Sequence, residues 1–292
     1  NNATNTVRLN NTNSILKLDA ATITHVTQNA DSASSKGLDI SGNAATITTF
    51  SSSAGSRIDL GANLTITNDF DLGANTMILT GTSTLGGGEI TLNDADSLIQ
   101  TKSACTISND LDITADSNAS KGLDIDVSGA TISGDLSINS DALLDIASST
   151  TLFYTGAKIS TSTNNLTITG AADSSILESS NSVEIDAGGT LTIGGDCALR
   201  TPITVNGTGT CTLALGSNTL TYDKTPAAIL DVGARTLAIT GTGELSNNAT
   251  GSIRLDNINS IVTLGGGTVG HVTQNADAAA NCGISAGTDS II

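Results

Sequence analysis

The residues with side chains able to do chemistry are few, and they recur at fixed places. The only two histidines, His25 and His271, each open the same phrase, His-Val-Thr-Gln-Asn-Ala-Asp. Carboxylates fall two apart at Asp69/Asp71, Asp94/Asp96, Asp110/Asp112 and Asp124/Asp126. In a strand, residues i and i+2 share a face, so each pair can place an acid beside a base on a sugar or offer hard oxygens to calcium. Such a hydrolase or lyase also needs cationic or aromatic subsites. Aromatics are 2% of this chain, and its 11 Lys and Arg are dispersed from Arg8 to Arg254. The glycine-rich nonapeptide of calcium-binding solenoids is absent, so calcium is a minor expectation and the pairs read first as solvated surface acids. A Ser–His–Asp device needs its parts to converge, whereas the histidines occupy matching positions of a repeat and read as a repeated corner or surface residue. No catalytic or cofactor-binding residue is expected, and no metal-ligand set is singled out.

Cys105, Cys197, Cys211 and Cys282 form no C-x-x-C pair, which removes the zinc and thioredoxin-like readings. They read as small buried hydrophobes. A disulfide, with Cys197–Cys211 its most plausible pairing, is the alternative, and sequence leaves it open.

The elements that carry these groups must be strands. Hydrophobic residues make up 38% of the 292 positions, yet Trp is absent, so a core must come from Ile, Leu, Val and Ala. A thin stack of aliphatic layers suits that composition. Mean hydropathy of +0.10 and regular apolar alternation argue against disorder. The net charge is −17 and no basic patch exists, which excludes nucleic acid as a partner and disfavours anionic membrane surfaces. No apolar run is long enough to insert in a membrane. The chain opens on Asn1 with no basic-then-apolar leader and is expected to be a processed or excised segment. Seven N-x-S/T sequons, at Asn2, Asn10, Asn63, Asn118, Asn165, Asn206 and Asn248, match chance frequency for this composition and say little about glycosylation.

Repeats occur at two scales. The short unit is two alternating triplets joined by a polar bend: Ile58-Asp-Leu60 to Leu64-Thr-Ile66, Val183-Glu-Ile185 to Leu191-Thr-Ile193, Leu213-Ala-Leu215 to Leu220-Thr-Tyr222, Leu230-Asp-Val232 to Leu237-Ala-Ile239, and Leu144-Asp-Ile146 to Leu152-Phe-Tyr154. Period two turns Leu64 and Ile66 inward and Thr65 and Thr67 outward. The bends lack the two-residue signals of hairpins and suit solenoid corners. A phrase Thr-Ile-x-(Asn/Gly)-Asp-apolar recurs at 65–70, 106–111, 131–136 and 192–197, and Asp31–Ile40 recurs as Asp116–Ile125. At the long scale, residues 1–37 align without gaps to 247–283, an offset of 246, with more than half of the positions identical. Residues 1–246 therefore form one long unit of a continuous solenoid, and 247–292 begin a second.

The fold class expected is all-β: a parallel β-helix with coils of roughly 20–25 residues, about twelve or thirteen of them, spanning about 60 Å at a ~4.8 Å spacing. Its ends are expected to be uncapped, with unpaired backbone inviting end-to-end self-association. Outward Thr-x-Thr pairs (Thr22/Thr24, Thr46/Thr48, Thr65/Thr67, Thr167/Thr169) leave room for an ice-binding face, against which stands their irregular spacing.

The stretches at 70–92 and 213–224 resemble large repetitive bacterial surface proteins, the autotransporter passengers and filamentous-haemagglutinin-like adhesins. The resemblance spans most of the chain and is largely compositional. It implies an extracellular or cell-surface stalk or adhesive fibre, rarely enzymatic, with cell-surface or glycan targets. A glycan- or ice-binding module and, behind it, a polysaccharide-active enzyme are the alternatives.

Overall fold

A computed structural model describes residues 6–170, 176–222, 230–247, 252–288 and 290–292. Every element among them is a β-strand, and every recorded pairing is parallel. The chain is a β-solenoid of about 12 turns. Consecutive partners on one face lie between 19 residues apart (Val7 to Val26) and 27 apart (Thr204 to Asp231), so the coil is slightly more variable than expected. By compactness the chain divides into residues 1–145 with 155–157, and 146–154 with 158–292. The 246/247 repeat boundary falls inside the second unit.

In the first unit, face 1 stacks seven strands from Val7–Leu9 to Ala130–Ile132, face 2 stacks four from Phe70–Asp71 to Leu136–Ile138, and face 3 stacks six from Ile15–Leu18 to Gly122–Ile125. In the second unit, face 1 runs from Thr151–Tyr154 to Ser290–Ile291, face 2 from Ile159–Ser160 to Val272–Gln274, and face 3 from Asn165–Gly170 to Gly283–Ala286. From Leu64–Ile66 onward each coil in the first unit visits the three faces in turn. The earlier strand Ala45–Ser52 covers two faces by bending: Ile47 and Phe50 are both buried although they differ in parity. Phe50 then meets Phe70 of the next coil edge to face, with centroids 5.4 Å apart.

The core is a set of vertical columns. Leu38, Ile58 and Leu79 follow one another on face 3, continued by Thr101 and Ile125. Leu64 and Ile66 are buried and Thr65 and Thr67 exposed, as alternation requires. Each fully buried Leu or Ile contributes about 1.5–3 kcal/mol, and burial of one face of every strand fixes the register. Ser56 and Thr101 point inward in these columns, where no pattern anticipated polar residues.

The recurring phrases take recurring places. Three copies of Thr-Ile-x-(Asn/Gly)-Asp, at 65–70, 106–111 and 131–136, turn the corner from face 1 to face 2. The fourth, at 192–197, turns from face 3 to face 1 instead, because only the corner geometry is shared. The loops beginning at Asp31 and Asp116 are superposable in hydrogen bonding. Gly55 N–H donates to the Asp31 carboxylate as Asp141 N–H does to Asp116. Ser35 and Ser120 both take the left-handed conformation, with φ of 61° and 64°.

Candidate functional site

The acidic residues converge on one corner of the first unit. Asp69, Glu89, Asp110 and Asp135 each stand immediately before a face-2 strand on consecutive coils, one strand spacing of about 4.8 Å apart. Asp71 and Asp112 point outward from face 2, each in register with Thr91. Two of the four sequence-nominated pairs, Asp69/Asp71 and Asp110/Asp112, thus share one column. Asp94/Asp96 lies in the bend before the face-3 strand Leu98–Thr101, and Asp124/Asp126 lies on and just past the face-3 strand Gly122–Ile125. Glu89 and Asp135 were not nominated as site residues. The signal for them was available: Gly-Gly-Glu at 87–89 occupies the place that Asn-Asp and Gly-Asp hold in neighbouring phrases.

The carboxylates of this column act on the backbone. Asp69 Oδ1 accepts the N–H of Glu89 at 2.8 Å, Asp110 Oδ1 that of Asp135 at 2.9 Å, and Asp135 Oδ1 that of Ala157 at 2.7 Å. The Asp of the second unit's phrase repeats the device, with Asp196 Oδ1 accepting Thr219 N–H at 2.7 Å. Elsewhere Asp19, Asp31 and Asn63 accept backbone N–H groups of the following coil in the same manner. The phrase therefore carries a coil-to-coil clamp: a turn bends the chain, and its Asp caps an amide that the corner would otherwise leave unpaired.

The other pairs are also engaged across coils. Asp112 accepts from Asn139, Asp96 from Asn118, Asp124 from Gln100, and Asp126 pairs with Lys102. Burial holds the Asp124 carboxyl above its usual range, against the Gln100 hydrogen bond. Glu89 is also raised, first by burial and then by the charges of Asp112, Asp69 and Asp110. The column is thus a dense negative strip whose oxygens are partly committed to the main chain. Chemically it can attract cations diffusely. Among the described residues, no three His, Cys, Asp or Glu side chains gather closely enough to hold a metal ion.

The histidines lie in different compact units. His25 sits in the strand Thr22–Gln28 beside Thr49, and His271 N–H donates to Asn247 Oδ1 at 2.9 Å. All four cysteines are free. Cys197 lies on face 1 and Cys211 on face 3 of the second unit, so the Cys197–Cys211 disulfide gives way to the buried-hydrophobe reading. Burial pushes the Cys105 thiol to about 11 and the Cys197 thiol to about 12. Of the sequons, Asn2 and Asn248 lie outside the described residues. Asn118 donates its amide to Asp96, Asn165 to Thr167 and Asn206 to Asp186, so the nitrogen a glycan would take already holds a neighbour.

A cleft of about 380 Å³ opens beside the Asp31 loop, lined by Asp31, Ser32, Ser56, Asn75 and Ile78. The Ser32 and Ser56 hydroxyls are buried and unpartnered. No known family, curated protein or solved structure matches this chain.

Proposed function

We propose that the chain is a structural segment of an extracellular fibre or adhesin stalk, built by stacking coil on coil. The carrying observation is the use of its acids: every nominated carboxylate pair spends hydrogen-bonding capacity on joining one coil to the next, which is the work of a scaffold. The uncharged Thr, Ser and Asn surface, the acidic balance and the sequence resemblance to bacterial surface proteins support an extracellular placement, with cell-surface or glycan targets and no catalytic role. The reading includes end-to-end self-association, a mode in which parallel ladders can extend from one chain to the next. Electron microscopy of the purified protein tests this: fibres many times longer than one chain are expected, and discrete short particles at all concentrations overturn it. A polysaccharide activity screen should show no turnover.

A second reading is an ice- or glycan-binding module. Thr22, Thr46 and Thr65 stand in register on face 1, as do Thr84, Thr106 and Thr131. Such an array repeats at about 4.8 Å between strands and about 6.6 Å along them, a grid that can order water. Thermal hysteresis measured on the purified protein separates the two readings; the scaffold reading expects none.

A further inference from the structure

Two clefts flank the loop that begins at Asp31. The first, at Asp31, Asn75 and Ile78, holds about 380 Å³. The second holds about 310 Å³ and is lined by Ser35, Lys36, Asp39, Arg57, Asp59 and Thr80. Ile78 of the first and Thr80 of the second are two residues apart in the strand Thr76–Gly81 and so share its outer side. Arg57 stands in register with Ile78, and Asp59 with Thr80. The clefts therefore form one groove along face 3 of the first unit.

Lys36 and Arg57 set this groove apart. The chain has 11 basic residues against a net charge of −17, yet these two meet in one cleft, both half-buried. Neither forms an ion pair among the described residues. Asp39 is already engaged, 3.0 Å from Lys17 Nζ, and Asp59 is exposed. Partly desolvating a cation without an acceptor costs free energy, and the fold does not require it. Gly37 abuts the Arg57 carbonyl as Gly122 abuts that of Leu143, so in the matching loop at Asp116 a leucine takes the arginine's place. Lys121 there repeats Lys36.

The lining selects a ligand class. Lys36 and Arg57 favour an anionic group, and the planar fork of Arg57 matches a carboxylate. Asp39 and Asp59 line the same cleft, so a phosphate dianion meets more repulsion there than a single carboxylate does. In the adjoining cleft Asp31 Oδ1 is committed to Gly55 N–H and Asn75 Nδ2 to the Leu72 carbonyl, which leaves Asp31 Oδ2 and Asn75 Oδ1 to accept hydroxyl groups. Ile78 gives an apolar strip between them and the cations. We propose that the groove binds an acidic saccharide: one sugar places its carboxylate at Lys36 and Arg57, and the next lies over Ile78 with its hydroxyls on Asp31 and Asn75. This rests on the glycan target of the adhesin reading and gives that target a site and a chemical class.

Ligand-observed NMR on the full chain tests it with disaccharides of glucuronate, galacturonate and mannuronate. Acetate and the matching neutral disaccharides are the controls. At least one uronate should bind with a Kd of about 1 mM or below, more weakly as salt is raised. Arg57→Leu, which installs the side chain the Asp116 loop already carries, should weaken binding about 10-fold or more, and Arg57→Lys by less. Lys36→Ala, on the loop and outside the sheet, should also weaken it, whereas Lys121→Ala should leave it unchanged. The proposal is overturned by no binding of any uronate, or by equal binding of acetate or the neutral disaccharides. Affinity indifferent to both Arg57→Leu and Lys36→Ala overturns it too, as does an equal loss in Lys121→Ala. Fibre length is scored separately by electron microscopy of the unaltered chain, so the scaffold reading can fail while the groove binds, and the reverse.

Discussion

Coil-on-coil contact can be measured at a glycine where backbone meets backbone. Gly87 has φ of +124°, and a Cβ there would overlap the Ile66 carbonyl oxygen and lie 2.6 Å from its carbon. Ordinary carbon–carbon contact is about 3.5–4.0 Å, so Gly87→Ala requires the two coils to part by about 1 Å. The Gly88 N–H to Ile66 carbonyl bond, 2.8 Å long, cannot survive that shift. Its loss costs about 1 kcal/mol, and the backbone strain costs about 1–3 kcal/mol. The expected destabilisation is therefore about 3 kcal/mol. Gly73→Ala is the control: its φ is +59°, and an added Cβ would meet only Asn75 Nδ2 at 3.4 Å. It should show the strain without the clash and cost about 1 kcal/mol. Urea denaturation of both variants, followed by far-ultraviolet circular dichroism, gives the comparison. Equal costs at the two sites would refute the close approach of coils on which the scaffold argument rests.

Other consequences can be checked with single substitutions. Thr101 is 1% exposed in an aliphatic column, with an unpartnered hydroxyl, so Thr101→Val should stabilise the fold by about 1 kcal/mol in urea. Tyr222 is buried, its hydroxyl accepts Ile203 N–H at 3.0 Å, and burial pushes its pKa to about 12; Tyr222→Phe leaves that amide unpaired and should cost about 1–3 kcal/mol. Glu89 has a raised carboxyl pKa, so its protonated form favours folding: that contribution is complete below the ordinary value of 4.5 and is lost as pH rises through the higher folded value. Glu89→Gln should accordingly raise the urea midpoint at pH 7 and leave it unchanged near pH 4; a gain of equal size at both would exclude the charge origin. Cys105, Cys197 and Cys211 are buried while Cys282 is partly exposed, so a thiol reagent should titrate one cysteine quickly and three only on unfolding; two or more fast thiols would contradict the placement of the buried three.

Much of the fold was legible because its information is local. The triplets Ile58–Leu60 and Leu64–Ile66 declare their inward faces by alternation alone, and their bends reject hairpins by lacking hairpin signals. The loops at Asp31 and Asp116 share a conformation because the same residues meet the same left-handed position. The recurring phrase marks the places of Glu89 and Asp135, but the stacking of the acids into one column was not legible, because it depends on coil length. Asp69 reaches Glu89 at a separation of 20 residues, whereas Asp110 reaches Asp135 at 25. A reader of the sequence sees pairs two residues apart. The structure stacks residues whose separation changes with every bend. Ser56 and Thr101 escaped for a related reason: their inward direction follows from the residues above and below them.

This difference in range decides how the acidic residues should be understood. A pair two apart on one strand is a local feature, and local features suggested catalysis or calcium. A carboxylate that accepts an amide from the next coil is useful only where a next coil exists. Asp19, Asp31, Asp69, Asp110, Asp116, Asp135 and Asp196 all do this, at unrelated points along the chain and at different corners. Six of these clamps lie in the first compact unit and one in the second, each taking a main-chain donor from the following coil, as the proposed scaffold would use them. Seven of the chain's 28 acidic side chains are thereby set against backbone N–H dipoles, where the folded coil receives their charge more favourably than the open chain does.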